Sequence, residues 1–246
     1  MNFPARLSLT FVLSATVAVS LRAVEAPAKP LTSPAATGLA GLLNSTGLTK
    51  AQLLSGLKTG LGAAVDLASA DTAKPGAFQL GVPASMAKLE GLLKAANQTG
   101  ALDSFKSSLS ASAASAAPQA MTALKAAVVS LSATDAAALG GGSNDAATKL
   151  LRKVAEPTLR TTLMPLVAKA IAANGTAAQA KSLAVKAGPM AAMLGVPGAA
   201  DLEGYVFTQL LDATFGYVAK GEAAIRANPA QLKDKFAAAV FKPAAK

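Results

Sequence analysis

The 246-residue chain contains no cysteine, no histidine and no tryptophan. Without cysteine it has no disulfides, and a chain of this length can rely on packing instead. Without His and Cys, zinc sites of the usual kind are excluded, and so are Ser-His-Asp and Cys-His nucleophiles. Acidic residues number only 13 and are thinly spread, with no D-x-D-x-D-G loop for calcium. No cofactor or metal is therefore expected. Aromatics make up 4% of the chain, so the core must be built of Ala, Leu and Val. Val and Ile are sparse, and no long run alternates apolar with polar residues, which leaves little support for strands.

What the chain has is alanine, about a quarter of all residues, with leucine and lysine beside it. These are strong helix formers. The expectation is an all-α protein: a single multi-helix, bundle-like domain of roughly eight to ten helices with a long buried late helix. Mean hydropathy is +0.42, but alanine supplies most of it. A spanning helix needs roughly 20 mainly apolar residues. The mature chain is expected to have none.

The first residues read MNFPARLSLTFVLSATVAVSLRAVEAPA. Arg6 gives a short positive region, Leu7–Leu21 an apolar run of 15 residues, and Ala18-Val19-Ser20 a small-residue cleavage pattern. Such an order marks a secretory signal peptide, assigned to residues 1–26. Residues 27–46 mix Pro, Ala, Ser, Thr and Gly and read as a flexible linker. Residues 47–246 read as the helical domain. The expected location is exported, periplasmic or extracellular, in a bacterium. The formal charge of +10 falls to about +9 when Arg6, Arg22 and Glu25 are removed. The lysines are scattered, so the charge reads as a solvated basic surface, and no nucleic acid partner is expected.

Helical punctuation is legible along the domain. Thr49 reads as an N-cap, followed by Leu54, Leu57, Leu61, Val65 and Ala68 at helical spacing. Asp71 to Pro83 reads as a loop, with Phe78 and Leu80 packing down. A second helix starts near Ala84. Pro118 is expected to separate a third helix from a fourth that carries Met121, Leu124 and Val128. Ser132 or Thr134 caps a short fifth helix that stops at Gly140-Gly141-Gly142. Pro157 reads as a helix start, Pro165 as a kink and Asn174-Gly175 as a stop. Asp201 reads as the cap of a late helix reaching Arg226, apolar on more than one face. Its glycines Gly204, Gly216 and Gly221 read as sites of close helix approach. Asn228-Pro229 reads as the start of the last helix.

Three patterns bear on chemistry. Ser85-Met86-Ala87-Lys88 is an S-x-x-K motif and Lys58-Thr59-Gly60 a K-T-G, both features of serine acyl-enzymes. Here K-T-G precedes the serine, lies in a helical stripe and lacks an S-D-N companion, so the acyl-enzyme reading is subordinate. LGGGSNDAATKLLRK, from Leu139 to Lys153, has the look of a phosphate cradle. It lacks the lysine directly after the last glycine and the preceding strand of a P-loop. The glycines read as a helix stop, Asn144-Asp145 as a helix start, and Asp145 as a partner of Lys149. Lys149, Arg152 and Lys153 then stand as candidates for a partner-facing basic patch. Met190 to Met193 is a third pattern, suited to an adaptable apolar cavity.

The ordered pieces GLKTGLGAAV, KPGAF, GVPASMAKLEGLLK, GGGSNDAATKLLRK with EPTLRTTLMPLV, and DLEGYVFTQLLDATFGYVAKGEAAIRANPA are similar to a known family. The chain resembles the exported bacterial proteins known as domain of unknown function 4197. The resemblance implies an all-helical exported domain and carries over no catalytic residue. The sequence departs from the family at Leu150-Leu151, where the family tends to aromatics, and from Gly216 to Glu222, where it tends to more charge. Together these readings give a non-enzymatic binding or envelope-associated module. The alternative is a carrier of an apolar ligand or lipid, and a serine-lysine hydrolase comes behind both.

Overall fold

Four long helices form the frame, and each is amphipathic over a stripe of Leu, Val and Ala. A computed structural model of the chain describes residues 43–242, apart from 45, 98, 138, 140–142 and 192. The frame helices are α1 (Lys50–Thr72), α3 (Gly100–Ser130), α5 (Ala146–Ala173) and α7 (Ala199–Ala227). Shorter helices are α2 (Ala87–Ala95), α4 (Ala133–Ala137), α6 (Thr176–Ala187) and α8 (Lys235–Val240). No strand occurs among the described residues, so the all-α expectation holds. Nor is any described helix long and apolar enough to cross a membrane. The signal-peptide reading, residues 27–42 of the linker and the Gly140–Gly142 stop lie outside the described residues.

α7 packs on α1, α3 and α5. Its Leu202, Val206, Phe207, Leu210, Leu211, Phe215, Val218 and Ile225 are all buried, as the many-sided apolar pattern predicts. Gly221 lets α1 come close: a Cβ there would lie 2.7 Å from the Ala64 carbonyl oxygen. Gly204 and Gly216 do not share this role, since a Cβ at either would enter open space. α8 seats on α1, where Gly60 accepts the ring of Phe241.

The local punctuation is partly as expected. Thr49 caps α1 in a capping box with Gln52, whose side chain accepts the Thr49 N–H at 2.9 Å. Ser132 caps α4 and exchanges hydrogen bonds with Asp135. The loop after α1 is held down by buried Phe78 and Leu80 and by two tyrosines of α7. Tyr217 donates to the Ala77 carbonyl (2.8 Å) and Tyr205 to that of Gly81 (3.0 Å). Leu43, a few residues before the expected start of the domain, also packs against the core.

The prolines behave differently from the expectation. Pro118 does not separate one helix from the next, and Pro157 does not begin one: both lie inside continuous helices of 31 and 28 residues. A proline removes one backbone bond to the carbonyl four residues back. For Pro118, Pro157 and Pro165 those residues are Ala114, Lys153 and Thr161, all exposed, so water can serve the freed carbonyls. The buried stripe continues past each proline and holds the helix together. At the late helix, Gly198 is the N-cap, and Asp201 reaches back to its N–H (3.2 Å). Asn228-Pro229 opens only a short turn. The last helix starts later, capped by Asp234, which accepts from Phe236 and Ala237 N–H.

Candidate functional site

A cleft of about 340 Å³ opens between α6 and the segment that leads into α7. One wall is a single stripe of α6: Ala177, Ala180, Lys181 and Ala184, at spacings of three and four residues. The facing wall is Ala191, Val196, Pro197 and Gly198, with Leu202 of α7 at the end. Nearly all of these side chains are small and apolar, which is why helix and segment leave a gap between them. Lys181 is the one charged side chain of the lining. Next to the lining in sequence stand Val185, Met190 and Met193, which are 75%, 52% and 76% exposed.

Each wall is fixed by its own anchor. Thr176, the first residue of α6, is fully buried. Its Oγ1 donates to the Ser108 carbonyl (3.0 Å) and accepts from Ser112 Oγ (2.8 Å), tying α6 to α3. The facing segment is held at Gly195. Ser85 Oγ donates to the Gly195 carbonyl at 3.1 Å. Gly195 has φ +70°, and a Cβ there would overlap the Ser85 carbonyl, so only glycine fits this approach.

The start of α5 holds the fold's buried ionic centre. Ala147 and Thr148 donate their backbone N–H groups to Glu222 Oε1 (3.1 Å) and Oε2 (2.7 Å). Thr148 Oγ1 adds a bond of 2.6 Å to Oε2, and Arg226 gives two bonds of 2.9 and 2.7 Å to Oε1. Glu222 is fully buried. Arg226 stacks over Phe241, its guanidinium carbon 5.0 Å from the ring centroid. The exposed N–H groups of a helix start attract an anion, and here a carboxylate 75 residues away in sequence is that anion. The expected cap is corrected accordingly: Asn144 is exposed, and Asp145, the N-cap residue, makes no capping bond with its side chain.

Lys149, Arg152 and Lys153 lie just beyond this centre on α5. Lys149 pairs with Asp145 (3.0 Å). This bond, with one from Ser143, holds the Asp145 carboxyl below the usual range. Arg152 pairs with Glu156 (3.1 Å) and Asp212 (2.6 Å) and lies over the Phe215 ring. Lys153 is exposed and has no ion-pair partner among the described residues. The three share a helix but not one electrostatic role.

Ser85 and Lys88 are both exposed, and Ser85 spends its hydroxyl on Gly195. Lys58 of K-T-G reaches the Val129 carbonyl at 2.6 Å, and Gly60 of the same motif is packed by Phe241. The two motifs thus serve different contacts. Met190 and Met193 are exposed and do not line the cleft, although Ala191 between them does. The four-residue stripe of α6 is present in the sequence, but alanine carries too little contrast to mark a binding face.

The model of a family described as a protein of unknown function, DUF4197, matches residues 47–242. No curated protein and no solved structure matches the chain.

Proposed function

The chain belongs to the DUF4197 family, and from that premise we propose that it is a non-enzymatic binding module whose cleft receives the apolar part of a small ligand. The observation that carries this reading is a small-residue cleft whose lining residues have exposed Val185, Met190 and Met193 close by in sequence. A concavity lined by apolar side chains, with large apolar side chains left in water on the same elements, is a mark of a binding surface. Methionine suits such a surface because its flexible thioether adapts to different shapes. The N-terminal pattern of Arg6, an apolar run and small residues supports export, which would put the module in the bacterial envelope space.

The test is calorimetric titration of the full chain with 1-octanol. Saturable one-to-one binding is expected, and Ala184→Phe, which fills the cleft from α6, should abolish it. Heat that does not saturate, or binding that Ala184→Phe leaves unchanged, rejects the reading. Export has its own test. The intact mass of the protein recovered from host fractions should lack the first residues up to a small-residue cut.

A further inference from the structure

The cleft has an apolar lining with one cationic group, and that combination selects a ligand chemistry. Resting on the cleft reading above, we propose that the occupant is a single-chain amphiphile with an anionic head, a medium-chain carboxylate, and that Lys181 reads the head.

Volume limits the tail and charge selects the head. A space of about 340 Å³ lies at the low end of the range of roughly 300–1,000 Å³ typical of small-molecule sites. It admits one short chain rather than the paired chains of a membrane lipid. The walls offer methyl and methylene groups: Ala180, Ala184, Val196 and Leu202. Lys181 is the only lining residue with a polar side chain, so the side chains of these walls otherwise give an alkyl tail apolar contact. Lys181 is exposed, with no carboxylate paired to it among the described residues. Asp201, at the start of α7, is already engaged by the Gly198 N–H. An amphiphile entering tail first would thus meet the Lys181 ammonium at the rim of α6. A neutral alcohol of equal length fills the same cleft without that contact.

Octanoate and 1-octanol are titrated into the full chain at low salt, in wild type, Lys181→Met and Ala184→Phe. Lys181→Met keeps most of the length of the side chain and removes its charge, at an exposed position. Wild type should bind octanoate roughly threefold to fivefold more tightly than octanol, the size of one exposed ion pair, and the ratio should shrink as salt rises. Lys181→Met should bring the ratio to one, with octanol still bound. Nonanoate should bind about threefold to fourfold more tightly than octanoate, as one more methylene is buried. Equal binding of octanoate and octanol to wild type overturns the head-group assignment but leaves the cleft reading standing, and so does a ratio that survives Lys181→Met. Binding of neither probe overturns both. Sedimentation run alongside adds one more outcome. A dimer that Ala184→Phe dissolves, with no octanoate bound, would assign the cleft to a second copy of the chain and overturn the proposal.

Discussion

Thr148 and Glu222 meet through two hydrogen bonds to one carboxylate oxygen, 2.7 Å from the backbone N–H and 2.6 Å from the side-chain hydroxyl. They join the first turn of α5 to the last turns of α7. Neither helix start nor carboxylate has water to fall back on, because both residues are buried. Removing one partner of such a buried ionic centre costs about 3–5 kcal/mol. Glu222→Ala should lose stability on that scale in urea unfolding, since it strands both the helix N–H groups and Arg226. Thr148→Val removes only the hydroxyl bond to a charged group and should cost roughly 1.5–3 kcal/mol. A Glu222→Ala protein within about 1 kcal/mol of wild type, the scale of an ordinary surface pair, would contradict this account.

Two glycines of α7 should respond to alanine with opposite signs. Gly216 is exposed, and a Cβ there meets nothing within 4 Å. Gly216→Ala should therefore stabilise by up to about 1 kcal/mol through helix propensity. At Gly221 the new methyl would press on the Ala64 backbone, which cannot step aside. Overpacking of that kind costs about 1–3 kcal/mol, more than the propensity gain returns. Thermal denaturation of the pair decides it: two shifts of the same sign would refute the packing argument.

Asp145 sets up a dependence on pH. Its carboxyl is depressed by the bond from Lys149 and one from Ser143, so the folded state binds its proton less readily than the unfolded chain. A depressed carboxyl contributes stability that is present above its unfolded pKa, about 3.9. That contribution is lost as pH falls through the lower folded value. Asp145→Asn keeps the shape and removes the charge at the positive end of α5, which is worth roughly 0.3–1 kcal/mol. The variant should be weaker than wild type by that amount at neutral pH, and the gap should close on acidification below about pH 4. A gap that persists to about pH 2, well under the usual carboxylate range, would point to shape rather than charge.

Gly195→Ala should loosen one side of the cleft and little else. The substitution combines a left-handed backbone with an overlap on the Ser85 carbonyl. Backbone amides of Leu194 and Val196, which bond to Met190 and Ala191 carbonyls, should exchange with deuterium roughly tenfold faster or more, as local opening becomes easier. Amides in the middle of α3 and α5 should keep their wild-type protection. Uniform loss of protection across the domain would show that the segment is part of the global folding unit instead.

The helices are legible because their signals are local. Thr49 with Gln52, Ser132 with Asp135, and Asn174-Gly175 all announce themselves within four residues. Pro118 and Pro157 mislead for the same reason. A local breaker is overruled by buried stripes running past it on both sides, and exposure of the carbonyls it frees is a tertiary fact. Glu222 is invisible as the cap of α5 because nothing in its neighbourhood names a helix start 75 residues earlier. The cleft is faint for a different reason. Ala177, Ala180 and Ala184 have the spacing of a face but share their residue type with every other face of the protein, so only the packing shows which alanines line a gap.

The two anchors of the cleft are unequal, and this gives the site a direction. On the α6 side, Thr176 is locked by buried hydroxyls into the body of α3. On the other, an exposed serine and one glycine hold a segment that carries Met190 and Met193. If the cleft takes the proposed guest, its two walls divide the work: the α6 wall that carries Lys181 is fixed by buried hydroxyls, and the facing wall rests on the Ser85–Gly195 contact and the packing of Leu194.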